Sequence, residues 1–167
     1  NVVIKNNKND IRISKETFKL IATLSNRTNL TIIVRPHPTD ELKNYKSLNK
    51  YKNVKIIKDG SISEWIYNAK VVIHSSCAGG LEASVRGRPT VSYIPFKNNA
   101  KHEFSNKYSK KTKNLNDCLN IIKKTISSNT KNKQTNLKDF NLRAYNFLSN
   151  KPAYKIIADE FAKLIKI

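Results

Sequence analysis

Four short apolar runs, rich in β-branched residues, most constrain what this chain can fold into: "LTIIV", "NVKII", "VVIH" and "PTVSYIP". Each is too short for a helix of ordinary length and is bounded by Pro, Gly or polar residues, which marks buried strands. The segments between them carry helical spacing instead. Residues 14 to 26 open on Ser14 and place Phe18, Leu20, Ile21 and Leu24 on one face. Residues 40 to 51 carry the stripe Leu42, Tyr45 and Leu48, and "SISEWIYNA" opens with Ser61 and Glu64 at capping-box spacing. "CAGGLEASVRG" reads as helix as far as Gly87, which stands where a helix stops. Strands alternating with helices predict an α/β fold, a Rossmann-like doubly wound parallel sheet with helices on both faces. Val2 to Ile4 suggest an extra edge strand, and a polar loop of about 18 residues is expected beyond Pro95. C-terminal helices near residues 115 to 127, 135 to 148 and 152 to 166 close the chain.

A chain of 167 residues, 38% of them hydrophobic, encloses one core of ordinary size. The expectation is therefore a single domain over residues 1 to 167, with its motif core at 28 to 96 and a helical part at 115 to 166. With Asn1 first and no Met in the sequence, a piece of a longer, two-domain polypeptide is expected. No run approaches the roughly 18 apolar residues of a membrane-spanning helix, and no apolar signal core begins the chain, so a cytoplasmic protein is expected. Cys77 and Cys118 lack both metal-ligand spacing and the density of a disulfide framework, and read as free thiols.

The formal net charge of +20 raises nucleic acid as a partner, since basic side chains displace counterions from a phosphate backbone. Two features weigh against it. Most of the excess is Lys, and it concentrates in residues 97 to 167, away from the small-residue stretch described next. The basic segment "KNNAKHEFSNKYSKKTK" also offers only Phe104 and Tyr108 for base stacking. Nucleic acid is not the expected partner, and peripheral contact with an anionic membrane at its inner face stays open.

In parallel α/β sheets, ligands lie beyond the carboxyl ends of the strands, where loops lead into helices. Here those ends are "RPHP" (Arg35 to Pro38), Asp59 to Ser61, and "HSSCAGG" (His74 to Gly80). A strand that ends in small hydroxylic and Gly residues before a helix delivers backbone N–H groups and the positive end of a helix dipole to one point, which suits phosphate. Ser75, Ser76, Gly79 and Gly80 fit that role. Glu82, within the first turns of the helix, would accept hydrogen bonds from a neighbouring ribose diol. Arg35, Arg86 and Arg88 are half of the six Arg residues and lie beside these strand ends, as bidentate oxyanion ligands would. Each feature also has a structural reading: small residues for helix-on-sheet packing, Glu82 favourable near a helix start, His37 as a turn residue and His74 as a core histidine.

"RPHP" after a strand, followed by "HSSCAGGLEASVRGRPTVSY", resembles the C-terminal, donor-binding half of GT-B glycosyltransferases of the surface-carbohydrate kind, such as capsule and sialic-acid-type or Kdo-type transferases. It is similar in outline to glycerophosphate transferases and UDP-N-acetylglucosamine 2-epimerase. The resemblance spans roughly residues 14 to 96. It implies that His37, Ser75 and Ser76 contact the donor phosphate and that Glu82 holds the ribose; Arg35 and His74, read from their place at the strand ends, are expected to line the same site. The resemblance implies a glycosyltransferase using a CMP- or UDP-linked sugar, with His37 as the catalytic candidate at the leaving phosphate. Cofactors and metal are not required. A saccharide or lipid-linked acceptor, and often the base, belong to an N-terminal domain in that arrangement, so the isolated chain is expected to be incomplete and inactive. The epimerase pattern has consecutive acidic residues where this chain has Leu81, Glu82 and Ala83. An epimerase-like enzyme and a non-catalytic basic module binding nucleic acid or anionic membrane are the alternative readings.

Overall fold

The structure, a computed structural model, describes residues 2–96, 103–128 and 155. The chain divides into two compact units, Asn1–Lys133 and Gln134–Ile167. In the second unit only Lys155, in a helix, is described, so the helices expected at 135 to 148 and 152 to 166 lie outside the described residues.

The first unit opens with helix α1 (Val2–Arg27). Leu20, Ile21 and Leu24, at i, i+1 and i+4, share one face of it and are buried. Arg27 in the last turn complements the negative end of the helix dipole. Val2 to Ile4 do not form an edge strand. They are the start of α1, because extending a nucleated helix gains one hydrogen bond per residue fixed, whereas a three-residue strand must first find a sheet edge. Strand β1 (Ile32–Val34) follows, then the short helix expected within residues 40 to 51, which is a 3-10 helix (Leu42–Leu48). The stripe Leu42, Tyr45, Leu48 repeats every three residues, which is the period of a 3-10 helix. Only Leu48 of that stripe is buried, and Leu42 is 52% exposed. Strand β2 (Val54–Ile56) pairs in parallel with β1, Ile33 opposite Lys55. Asn53 sets this pairing: its Nδ2 donates to the carbonyls of Thr28 (3.2 Å) and Leu30 (3.0 Å), tying the exit of α1 to the start of β2.

Helix α2 (Ile62–Asn68) is capped by Ser61, whose hydroxyl accepts from the Ser63 amide. Strand β3 (Val72–His74) leads through residues 75 to 77 into α3 (Ala78–Val85). That helix ends in a Schellman arrangement: the Arg88 amide donates to Ala83 O (2.9 Å), and Gly87, at φ 70°, donates to Ser84 O (3.0 Å). Strand β4 (Thr90–Tyr93) is buried at all four positions, as befits the middle of the sheet β3-β4-β5.

The segment beyond Pro95 is not a plain loop. It contains helix α4 (Glu103–Lys107) and strand β5 (Lys110–Thr112), parallel to β4. An edge strand bearing exposed Lys110 and Lys111 lacks the apolar run by which a strand is recognised, and charge on an edge guards it against pairing with another chain. Helix α5 (Leu115–Ser127) is capped by Asn114, whose Oδ1 accepts from the Asp117 amide at 2.8 Å.

The fold class is thus α/β with parallel strands flanked by helices, Rossmann-like in outline. Among the described residues its strands form two small sheets, β1-β2 and β3-β4-β5, and not one continuous sheet. A core of Leu20, Leu24, Val91, Tyr93, Cys118, Leu119 and Ile122 joins α1, β4 and α5, with Ile32 and Ile73 packed against it. No helix among the described residues is long and apolar enough to cross a membrane.

Candidate functional site

The three strand ends differ in what their side chains do. After β1, the Arg35 guanidinium spans the exit of β2: Nη1 donates to the carbonyls of Ile57 (3.1 Å) and Asp59, and Nη2 to Gly60 (2.9 Å). Three carbonyls take three of its five N–H donors, so Arg35 fixes the turn at Gly60, which adopts φ 76°. His37 is exposed. Its Nδ1 lies 2.8 Å from Thr39 Oγ1 and its amide donates to Asp40 Oδ2 (3.0 Å), leaving Nε2 without a partner among the described residues. The same Asp40 oxygen accepts from the Tyr45 hydroxyl at 2.6 Å. Burial first, and then this carboxylate, push the Tyr45 phenol well above its ordinary range.

The turn between β3 and α3 is held from inside. His74 is 6% exposed; its Nε2 pairs with Ser109 Oγ at 2.8 Å and its Nδ1 accepts from the Cys77 amide at 3.5 Å. Burial lowers its pKa to about 4, so the imidazole is neutral at pH 7. Gly80 packs on the ring: an added Cβ there would overlap His74 Cδ2, Cε1 and Nε2. Ser75 Oγ donates to Tyr93 O at 3.0 Å. Ser76 stands at φ 61°, and its Oγ accepts from Asn106 Nδ2 at 2.7 Å.

Helix α3 starts without a side-chain cap. Cys77 at its N-cap makes no capping hydrogen bond, unlike Ser61 of α2 and Asn114 of α5. The amides of Ala78 and Gly79 therefore meet no acceptor among the described residues. At Gly79 an added Cβ would come within 3.0 Å of Ile62 Cδ1. Glu82 faces α2: its Oε1 accepts from Ser63 Oγ (2.6 Å) and pairs with Arg86 Nε (3.3 Å), while Arg86 Nη2 donates to Ser63 Oγ (3.1 Å). Arg88 lies over the ring of the exposed Tyr67 at 5.2 Å.

Of the residues singled out in the sequence, His74, Ser75, Ser76 and Gly80 come together at one turn, and the three side chains among them are engaged within the fold. Glu82 lies one turn into α3, partnered by Ser63 and Arg86. His37 and Arg35 sit on the end of the other sheet, and no hydrogen bond among the described residues links His37 to Ser75 or Ser76. Asn106, Ser109 and Ser63 were not singled out from the sequence. They are polar residues that no local pattern sets apart, and only the fold reveals their partners. Among the described residues no group of three His, Cys, Asp or Glu side chains could hold a metal ion. Comparison with protein-family models, with curated proteins and with solved structures returned no match.

The two thiols give a probe of this region. Cys77 is exposed at the α3 N-cap, whereas Cys118 is fully buried and its thiol is pushed up to about 11, chiefly by burial. One thiol per chain is expected to react with a maleimide in the native protein, and two after denaturation. Mass spectrometry assigning the native adduct to Cys118 would contradict this packing.

Proposed function

We propose that this chain binds the nucleotide-activated donor of a glycosyltransferase acting in surface-polysaccharide synthesis. The observation that carries the reading is the uncapped start of α3, at the carboxyl end of β3 in a parallel sheet, behind the sequence "HSSCAGGLEAS". In this reading the donor phosphate lies against the amides of Ala78 and Gly79. Sequence resemblance adds His37 and Glu82. The free Nε2 of His37 donates to a phosphate oxygen, and Glu82, its charge compensated by Arg86, accepts from the ribose hydroxyls. The buried side chains of His74, Ser75 and Ser76 shape the turn, and Arg35 shapes the loop beside it. In transfer, the bond from the anomeric carbon to the phosphate oxygen breaks and one to the acceptor oxygen forms. The acceptor hydroxyl gives up its proton to a base outside this site. Amides and His37 stabilise the charge left on the nucleotide phosphate.

Thermal denaturation with CMP, UDP, GDP and CDP tests this. A nucleotide that binds the native state at 100 times its Kd adds about 2.7 kcal/mol of stability. We expect CMP or UDP to raise Tm, and Glu82→Ala to weaken that nucleotide by about 1.5–3 kcal/mol, the range for losing hydrogen bonds to a charged group. No response to any of the four would overturn the reading. Tight duplex DNA binding at physiological salt, indifferent to Glu82→Ala, would favour a basic binding module instead.

A further inference from the structure

We propose that Asn106 is the positioning residue of the β3–α3 turn, holding Ser76 in the left-handed conformation that presents the start of α3 to a phosphate. The inference rests on reading that turn as the phosphate site. Ser76 is the only non-glycine residue with positive φ among the described residues, and at 61° it occupies a region that L side chains rarely adopt without a local hydrogen bond. Here the bond comes from across the fold. Ser92 Oγ, in the middle of β4, donates to Asn106 Oδ1 at 2.6 Å, and Asn106 Nδ2 donates to Ser76 Oγ at 2.7 Å. Ser76, Ser92 and Asn106 are 6%, 0% and 3% exposed, so water does not compete for these bonds. The amide thus bridges the two hydroxyls, its oxygen to Ser92 and its nitrogen to Ser76.

The same short segment reaches the turn a second time. Ser109, three residues beyond Asn106, pairs with His74 Nε2, and its hydroxyl donates to Ser105 O at 3.2 Å. Residues 74 and 76 are thus both tied to α4 and the bend after it, one on each side of Ser75. The turn keeps its shape because α4 is docked against it.

Glycine supplies the test, since it adopts positive φ without help. Ser76→Gly is expected to weaken the nucleotide less than Ser76→Ala does. Ser76→Ala, which has neither the freedom nor the acceptor, is expected to lose about tenfold, and Asn106→Ala the same. Ser76→Gly added to Asn106→Ala should recover most of that loss. Titrations with CMP and UDP, against cytidine and uridine, read the effect: the nucleotide should weaken and the nucleoside should not. The rate of maleimide addition to Cys77 in unliganded protein reads the turn itself, and should change several-fold in Asn106→Ala and return when Ser76→Gly is added. Equal loss for nucleotide and nucleoside, no recovery by Ser76→Gly, or an unchanged Cys77 rate in Asn106→Ala would each overturn the role of Asn106. A wild-type protein that binds none of the nucleotides would overturn the phosphate reading itself, whatever the Cys77 rates show.

Discussion

Gly80→Ala is expected to lower stability by about 3 kcal/mol, the upper part of the range for overpacking a filled interior. The new methyl would meet three ring atoms of His74. The ring cannot swing away cheaply, because Ser109 holds its Nε2 and the Cys77 amide approaches its Nδ1. Two other glycines calibrate the effect. At Gly79 the methyl crowds the end of the Ile62 side chain, which is 41% exposed and can rotate, and meets Cys77 Sγ at an ordinary 3.7 Å. At Gly87 there is open space but φ is 70°, so the cost is backbone strain of about 1 kcal/mol. Urea denaturation should rank Gly80→Ala well below both, and His74→Ala combined with Gly80→Ala should recover part of the loss. Equal stabilities for the Gly79 and Gly80 variants would show that His74 does not pack as described.

The same histidine makes stability depend on pH. An unfolded His titrates near 6.5, and burial lowers the folded value to about 4. The unfolded state therefore binds the proton more tightly, and protonation favours unfolding. Above about pH 6.5 the full stability is present. It falls as pH drops, by about 3 kcal/mol at pH 4. Urea midpoints at pH 7 and pH 4.5 for the wild type and His74→Gln check this, since carboxylates titrating in the same window affect both proteins alike. A difference between them that does not change with pH would mean that His74 is not buried neutral. Because His74 anchors the turn into α3, nucleotide binding should weaken over the same window.

Much of the fold was legible because the strands announce themselves. "IIV", "VKI", "VIH" and "TVSY" are all strands, and the caps Ser61 and Gly87 stand where the sequence puts a start and a stop. What the sequence could not supply was pairing. An apolar run looks the same whichever neighbour it takes, so the division into two sheets was not foreseeable. Strand β5 was missed because its residues are Lys, Lys and Thr, which mark an exposed edge and not a core. The site shows the same contrast. The small-residue turn was visible, and so was the alternative reading of His74 as a core histidine. That Ser75 and Ser76 spend their hydroxyls on Tyr93 and Asn106 depends on residues 18 and 30 positions away, beyond the reach of any local pattern.

The central claim is that the amides opening α3 hold a phosphate, and they can be watched directly. In a proton–nitrogen correlation spectrum of the labelled protein titrated with CMP and UDP, the largest shifts are expected at Ala78 and Gly79. Smaller shifts should appear at His37 and Glu82, and cytidine or uridine at equal concentration should leave Ala78 and Gly79 in place. Nucleotide-induced shifts scattered over the lysine-rich surface, with Ala78 and Gly79 unmoved, would contradict it.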